Sequence, residues 1–285
     1  MRLFCRCLRE KFTSPLTYIA AALFAVLCAF GPTFPIDEEN YSFFDVVFNS
    51  ELFSGAIQNP ASSSYLMACK FSNSEWYAIG LAVLTAIPAL YTYVKSIEKV
   101  QNFALIRSNY KSFSAGIVFA AFVTGFAITL AGFLIYCGIV YLIFPSFDSF
   151  ADPIYQMMYG DAANRLFSLM KTLLNHAFVG GIIPVFAITL YRFIRSDFLA
   201  ATIPMMIMYI SVKVIPNYRE WFSAVPERSQ NPFLSVLGML FPSSLTGMST
   251  SLETSLNAPF WIAYIVLGAF LFAIYLLFYK SVKKV

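Results

Sequence analysis

Few residues in this chain could do chemistry. There is one histidine, His176, among 285 residues. One imidazole cannot build a histidine-based zinc site or a two-histidine proton relay. Five cysteines are present, but Cys5 and Cys7 have no histidine or further thiol beside them, and no metal-ligand spacing occurs. There is no G-x-x-x-x-G-K-[ST], so the chain holds no P-loop, and there is no H-E-x-x-H. The string Gly247-Met248-Ser249-Thr250-Ser251 departs from the G-x-S-x-G nucleophile elbow at its last position. A Ser–His intramembrane protease needs Ser249 and His176 to meet. No catalytic residue and no metal or cofactor ligand is therefore expected in this chain.

Lys171 and His176 share one apolar run. A charge inside a membrane is costly and often functional. Lys171 can snorkel to an interface or line an aqueous vestibule. His176 can be an interhelical hydrogen-bond partner or part of a path. No such run contains Asp or Glu, which argues against a proton- or sodium-coupled carrier.

The elements that position these residues follow from composition. The chain is 59 % apolar and 12 % charged, with a mean hydropathy of +0.70. Soluble domains are about 45–50 % apolar and about 25 % charged. Too few charges remain to cover a globular surface, so a soluble domain, a disordered chain and a nucleic-acid binder are all excluded. The expected fold class is an all-α polytopic membrane protein forming one transmembrane domain over residues 1–285.

A span needs roughly 20 apolar residues. Six runs qualify, at 16–35, 76–94, 113–144, 166–191, 198–215 and 260–279. The third is long enough to tilt or project, and it is kept as one span because no loop divides it. With the N-terminus inside, inside segments hold thirteen Lys and Arg and outside segments five, Lys171 completing the set. This bias predicts that both termini are cytoplasmic in a multi-pass cell (plasma) membrane protein. A cleaved signal peptide competes for the first run, but no Ala-x-Ala site precedes the acidic stretch at Asp37.

Between the spans, residues 1–14 read as a basic amphipathic interfacial helix. The outside loop 36–75 is long and acidic and suits a small ordered cap. The segment 95–112, KSIEKVQNFALIRSNYKS, interleaves apolar and charged residues. It is either a docking surface or an extension of its flanking spans. The stretch 233–245 is too short to span and too apolar for a solvent loop, which fits a re-entrant pair of half-helices. Pro88, Pro204, Pro184 and the Gly180-Gly181 pair are positions for kinks or close packing. The 48 Phe and Tyr residues supply either packing and interface anchors or an aromatic-lined path.

This layout resembles the membrane subunit of ABC-2-type (type V) exporters. The string Tyr93 to Tyr110, YVKSIEKVQNFALIRSNY, carries most of the likeness. Glu98 matches the acidic residue at the start of that family's coupling segment, and Ile106-Arg107-Ser108-Asn109-Tyr110 resembles its basic turn. The family's Gly-Lys pair opening the third span is replaced here by Gly116-Ile117. The resemblance implies that two permease halves, from a homo- or heterodimer in the bacterial inner membrane, form a path driven by two cytoplasmic P-loop ATPase subunits. ATP and Mg would be held by those partners, and the bilayer is the third partner. Lys95, Glu98, Lys99, Phe103, Arg107 and Tyr110 would form the ATPase-coupling surface. A path near spans two and five would be lined by Thr85, Tyr91, Met205, Met208 and Tyr209, with Lys171 and His176 as further candidates. The cargo implied is an amphipathic peptide, a lipid or a drug. A membrane scaffold or immunity protein shares the same spans without coupling to an ATPase, and a small intramembrane enzyme is the remaining alternative.

Overall fold

The computed structural model describes residues 2–30, 32–36, 39–59, 63–70, 75–97, 110–149, 162–225, 231, 234 and 260–283. Helix dominates because a backbone in lipid must satisfy its polar groups within each segment. A basic helix, α1 (Arg2–Phe12), leads through Ser14 into α2 (Pro15–Ala29), where Pro15 opens the helix. The long helices follow: α6 (Glu75–Thr92), α7 (Tyr110–Ile143), α8 (Ala162–Ile194), α9 (Asp197–Ser223) and α10 (Phe260–Lys283). Among the described residues five helices, α6 to α10, are long and apolar enough to cross a membrane. The third expected run is a single 34-residue helix, α7.

The first expected span, 16–35, is corrected. Helix α2 has 15 residues, about 22 Å of rise, and ends at Ala29. Residues Pro32–Ile36 instead form β1, paired antiparallel with β2 (Glu39–Ser42), so the chain is not wholly helical. Pro32 and Pro35 have no N–H to extend a helix, which ends the apolar run early. Beyond the hairpin, α3 (Phe43–Phe48), α4 (Ser50–Gln58) and α5 (Ser64–Lys70) build the ordered cap expected of this loop. Ser42 and Asp45 exchange a capping box at α3, and the Asn49 side chain accepts from Glu51 and Leu52 at α4. The cap is tied to the bundle. The Ser64 amide donates to the Pro145 carbonyl at 3.0 Å, and the Phe43 ring packs edge-on against Tyr136 and Phe144.

Two ends of the bundle are thus distinguishable, one under this cap and one bearing α1. At the cap end, Arg165 of α8 pairs with Asp148 and lies over the Phe147 ring, fastening α8 to the end of α7. At the α1 end, Arg192 of α8 donates to the Ser281 carbonyl of α10 at 3.3 Å. The turn into α9 places Arg195 at φ 56, a left-handed helix cap, and the Ser196 hydroxyl accepts from the Leu199 amide. One apolar core runs through α2, α6, α7 and α8, while α9 and α10 are packed on its flank, with most of their membrane-length faces exposed.

The tightest crossing joins α7 to α8. A Cβ added at Gly125 would lie 2.1 Å from the Gly180 carbonyl oxygen and 2.6 Å from the Pro184 ring. A Cβ at Gly180 would lie 2.0 Å from the Thr129 hydroxyl. Pro184 has no N–H, so the Gly180 carbonyl, four residues earlier, loses its helix donor. The Gly125 backbone fills that place, with its Cα hydrogen directed at the freed oxygen. Thr129 Oγ1 donates to the Gly125 carbonyl at 2.9 Å and so brings no unpaired hydroxyl to the contact. We predict that Gly125→Ala lowers stability by about 1–3 kcal/mol through overpacking against backbone. Gly138→Ala, in the same helix but with nothing within 4 Å, should leave stability unchanged or raised. Thermal melting of the purified protein in mild detergent compares the two.

Candidate functional site

Helices α8, α9 and α10 enclose an apolar groove with a cavity of about 170 Å³. Val179, Ile182, Ile183 and Phe186 line it from α8, Pro204, Ile207 and Met208 from α9, and Leu267 and Phe270 from α10. On α8 these residues recur at helical spacing and form one stripe. Pro204 and Pro184 each lack the N–H of a helix hydrogen bond at this level. With apolar walls throughout, the groove accepts hydrocarbon and offers nothing to a polar group.

Asn175 lies on that same α8 stripe, one turn toward the cap end from Val179. It is fully buried, and among the described residues neither its amide nitrogen nor its carbonyl oxygen has a hydrogen-bond partner. A buried amide left so costs about 1–3 kcal/mol. Beside it, His176 Nδ1 is hydrogen-bonded to the Tyr77 hydroxyl of α6, and the two rings meet edge to face at 5.1 Å. The single histidine thus links α8 to α6.

The expected path residues divide between these surroundings. Met208 is buried in the groove wall, and Met205 is packed against the core one turn away. Thr85 is buried within α6 and donates to the Leu81 carbonyl at 2.6 Å, a bond inside its own helix. Tyr209 is exposed, with the Lys213 ammonium over its ring. Lys171 lies over the exposed Phe167 ring, one turn toward the cap end, and is not part of the groove lining. Tyr91 belongs to the opposite end, where its hydroxyl accepts from Lys95 at 2.9 Å. The structure brings Met208 and Met205 together and leaves Thr85, Tyr91, Tyr209, Lys171 and His176 in separate environments.

Of the expected coupling residues, Lys95 and Tyr110 are exposed on either side of residues 98–109. Glu98, Lys99, Phe103 and Arg107 lie outside the described residues, as does Ser249. Of the segment 233–245 only Leu234 is described; its carbonyl accepts from the Tyr218 hydroxyl at 2.5 Å.

Sequence reasoning passed over Lys11. It reads as one more interfacial cation on α1, yet it is fully buried and donates to Thr92 Oγ1 at 3.1 Å and to the Ala89 carbonyl at 3.4 Å. It pins α1 to the last turn of α6, directly before a π turn at Tyr93–Ile97. Burial is the main cause that pushes its ammonium down to about 8, with Cys7 and Glu10 opposing. Its signal was positional only, being the last base of a basic amphipathic helix next to the Ser14-Pro15 corner.

No family model matches the chain, and no curated protein matches it in sequence.

Two outcomes follow from these buried polar groups. Asn175→Leu removes the unpartnered amide at similar volume and should stabilise the protein by about 1–2 kcal/mol, read as a raised melting temperature in detergent. For Lys11, docked and undocked forms are both charged below about pH 8, so the burial penalty is fully present there. Between about 8 and 10.5 only the docked lysine has lost its proton, so stability should rise with pH across that window. Lys11→Met should abolish that rise, as seen by melting both proteins from pH 7 to 10.

Proposed function

We propose that this chain is the membrane-spanning permease subunit of an ATP-driven exporter of the ABC-2 type. It would cross a bacterial inner membrane six times, with α2 as the short first span and both termini in the cytoplasm. It would pair with a second permease half and take its energy from separate P-loop ATPase subunits that hold ATP and Mg. The thirteen-to-five placement of basic residues supports this orientation.

The observation that carries the reading is the junction at the α1 end. A basic amphipathic helix packs against α7 and α6, its Lys11 is held by the last turn of α6, and the charged segment 95–112 follows that turn in the chain. A push on the segment would be delivered to α1 and α6 together. Helix α6 in turn contacts α9, which forms one of the three walls of the apolar groove. That gives an ATPase docked at 95–112 a direct lever on the groove. The groove's chemistry favours cargo with a hydrocarbon part, an amphipathic peptide, lipid or drug.

The test is to purify the tagged chain from its native host in mild detergent and identify what accompanies it. A P-loop ATPase in stoichiometric amount is expected, lost when Glu98→Lys and Arg107→Glu are combined. Recovery of the chain alone, with its cellular phenotype intact after those reversals, would contradict the reading and favour a scaffold or immunity protein.

A further inference from the structure

At the α1 end, between the α1–α2 corner and the last turn of α6, lies a second cavity of about 630 Å³. Its walls differ from those of the apolar groove. Glu10 and Lys95 place opposite charges on it, and Ser14, Thr92 and Tyr91 add hydroxyls. Leu16 supplies an apolar wall.

Three observations narrow the occupant. First, the cavity sits where an amphipathic basic helix meets the start of one membrane helix and the end of another. That is the depth of lipid headgroups. Second, its charges are of both signs. Lys95 is fixed by its bond to the Tyr91 hydroxyl and by its place over that ring, 5.1 Å from the centroid. Ser14 is the N-cap of α2, and its hydroxyl makes no cap bond. One cavity thus offers an ammonium and a carboxylate, which matches a ligand carrying both an anionic and a cationic group. Third, the cavity continues into apolar surface. Leu16 lies on one stripe with the exposed Ile19 and Leu23 of α2, and Tyr91 on one stripe with the exposed Ile87 of α6.

We infer that this cavity is a binding site for a phospholipid with a primary-amine headgroup, of the phosphatidylethanolamine type. Lys95 and the Ser14 hydroxyl hold the phosphate, Glu10 receives the ammonium, and an acyl chain follows Ile19, Leu23 and Ile87 into the bilayer. A quaternary ammonium cannot donate a hydrogen bond to Glu10, and a glycerol headgroup brings no cation, so the site selects among phospholipids. The inference is independent of any ATPase partner and stands or falls without one.

The test uses the full-length purified chain and native mass spectrometry in detergent. Phosphatidylethanolamine, phosphatidylglycerol and phosphatidylcholine of identical acyl chains are added in equal amounts. The ethanolamine lipid should be retained about tenfold over either competitor, the scale of one charge-assisted hydrogen bond. Glu10→Gln should reduce it to the level of the glycerol lipid, and Lys95→Gln should weaken all three by a similar factor. Tyr91→Phe, which keeps both charges, should cost less than either. Circular dichroism and gel filtration check that each variant is folded. Equal retention of the three lipids, or retention unchanged in Glu10→Gln and Lys95→Gln, would overturn the inference. Full displacement of the lipid by millimolar glycerophosphoethanolamine would overturn it too, in favour of a soluble phosphoamine.

Discussion

The bundle depends on the missing side chains at the crossing of α7 and α8. Gly125 and Gly180 let two long helices approach until backbone meets backbone, and Pro184 frees the carbonyl that Gly125 covers. In lipid there is no hydrophobic force to bring apolar helices together, so close packing of small residues has to do it. The same device recurs where a Cβ at Gly132 would strike the Ala21 carbonyl of α2, and one at Gly80 the Leu27 side chain. Glycine contacts thus join α2, α6, α7 and α8 around one core. Helices α9 and α10 lack comparable seams, since Gly268 of α10 has open space around it. The groove lies along this less tightly joined boundary.

Much of this architecture is legible in hydropathy alone. The five long helices follow from runs of about 20 apolar residues, and α7 is one helix because nothing in its sequence interrupts it. The end of α2 was misjudged because Phe30, Phe34 and Ile36 are as apolar as the helix, whereas Pro32 and Pro35 decide the backbone. The cap was foreseeable as ordered, but its hairpin was not, since β1 reads as the tail of a span. Crossings were legible only in part: Gly180-Gly181 and Pro184 mark a special place, but the partner at Gly125 is set by three-dimensional register.

The polar groups show where sequence reading stops. Lys11 and Lys171 look alike as cations near apolar runs, yet α6 closes over Lys11 while Lys171 lies on Phe167 at the rim. Asn175 drew no notice beside the rarer His176. The histidine is bonded through Nδ1 to Tyr77 and ties helices together, whereas among the described residues nothing pairs either polar atom of the buried asparagine. Burial without a partner depends on what neighbouring helices bring, and local sequence does not encode it. Such a group lowers stability, and natural proteins keep such costs mainly where function gains from them.

On the proposed function the central claim is mechanical: the glycine-packed pair α7 and α8 would keep its spacing while α6 passes an ATP-driven push to α9 along its edge. Double electron–electron resonance on the proposed permease–ATPase complex, isolated from the native host, tests it most directly. One spin-label pair sits at the exposed Leu134 of α7 and Leu174 of α8, and a second at Leu174 and the exposed Ile210 of α9. The account predicts that ATP leaves the first distance unchanged and shifts the second by roughly 5 Å, the scale of one helical turn. A second distance indifferent to ATP, or a first distance that moves with it, would contradict the account.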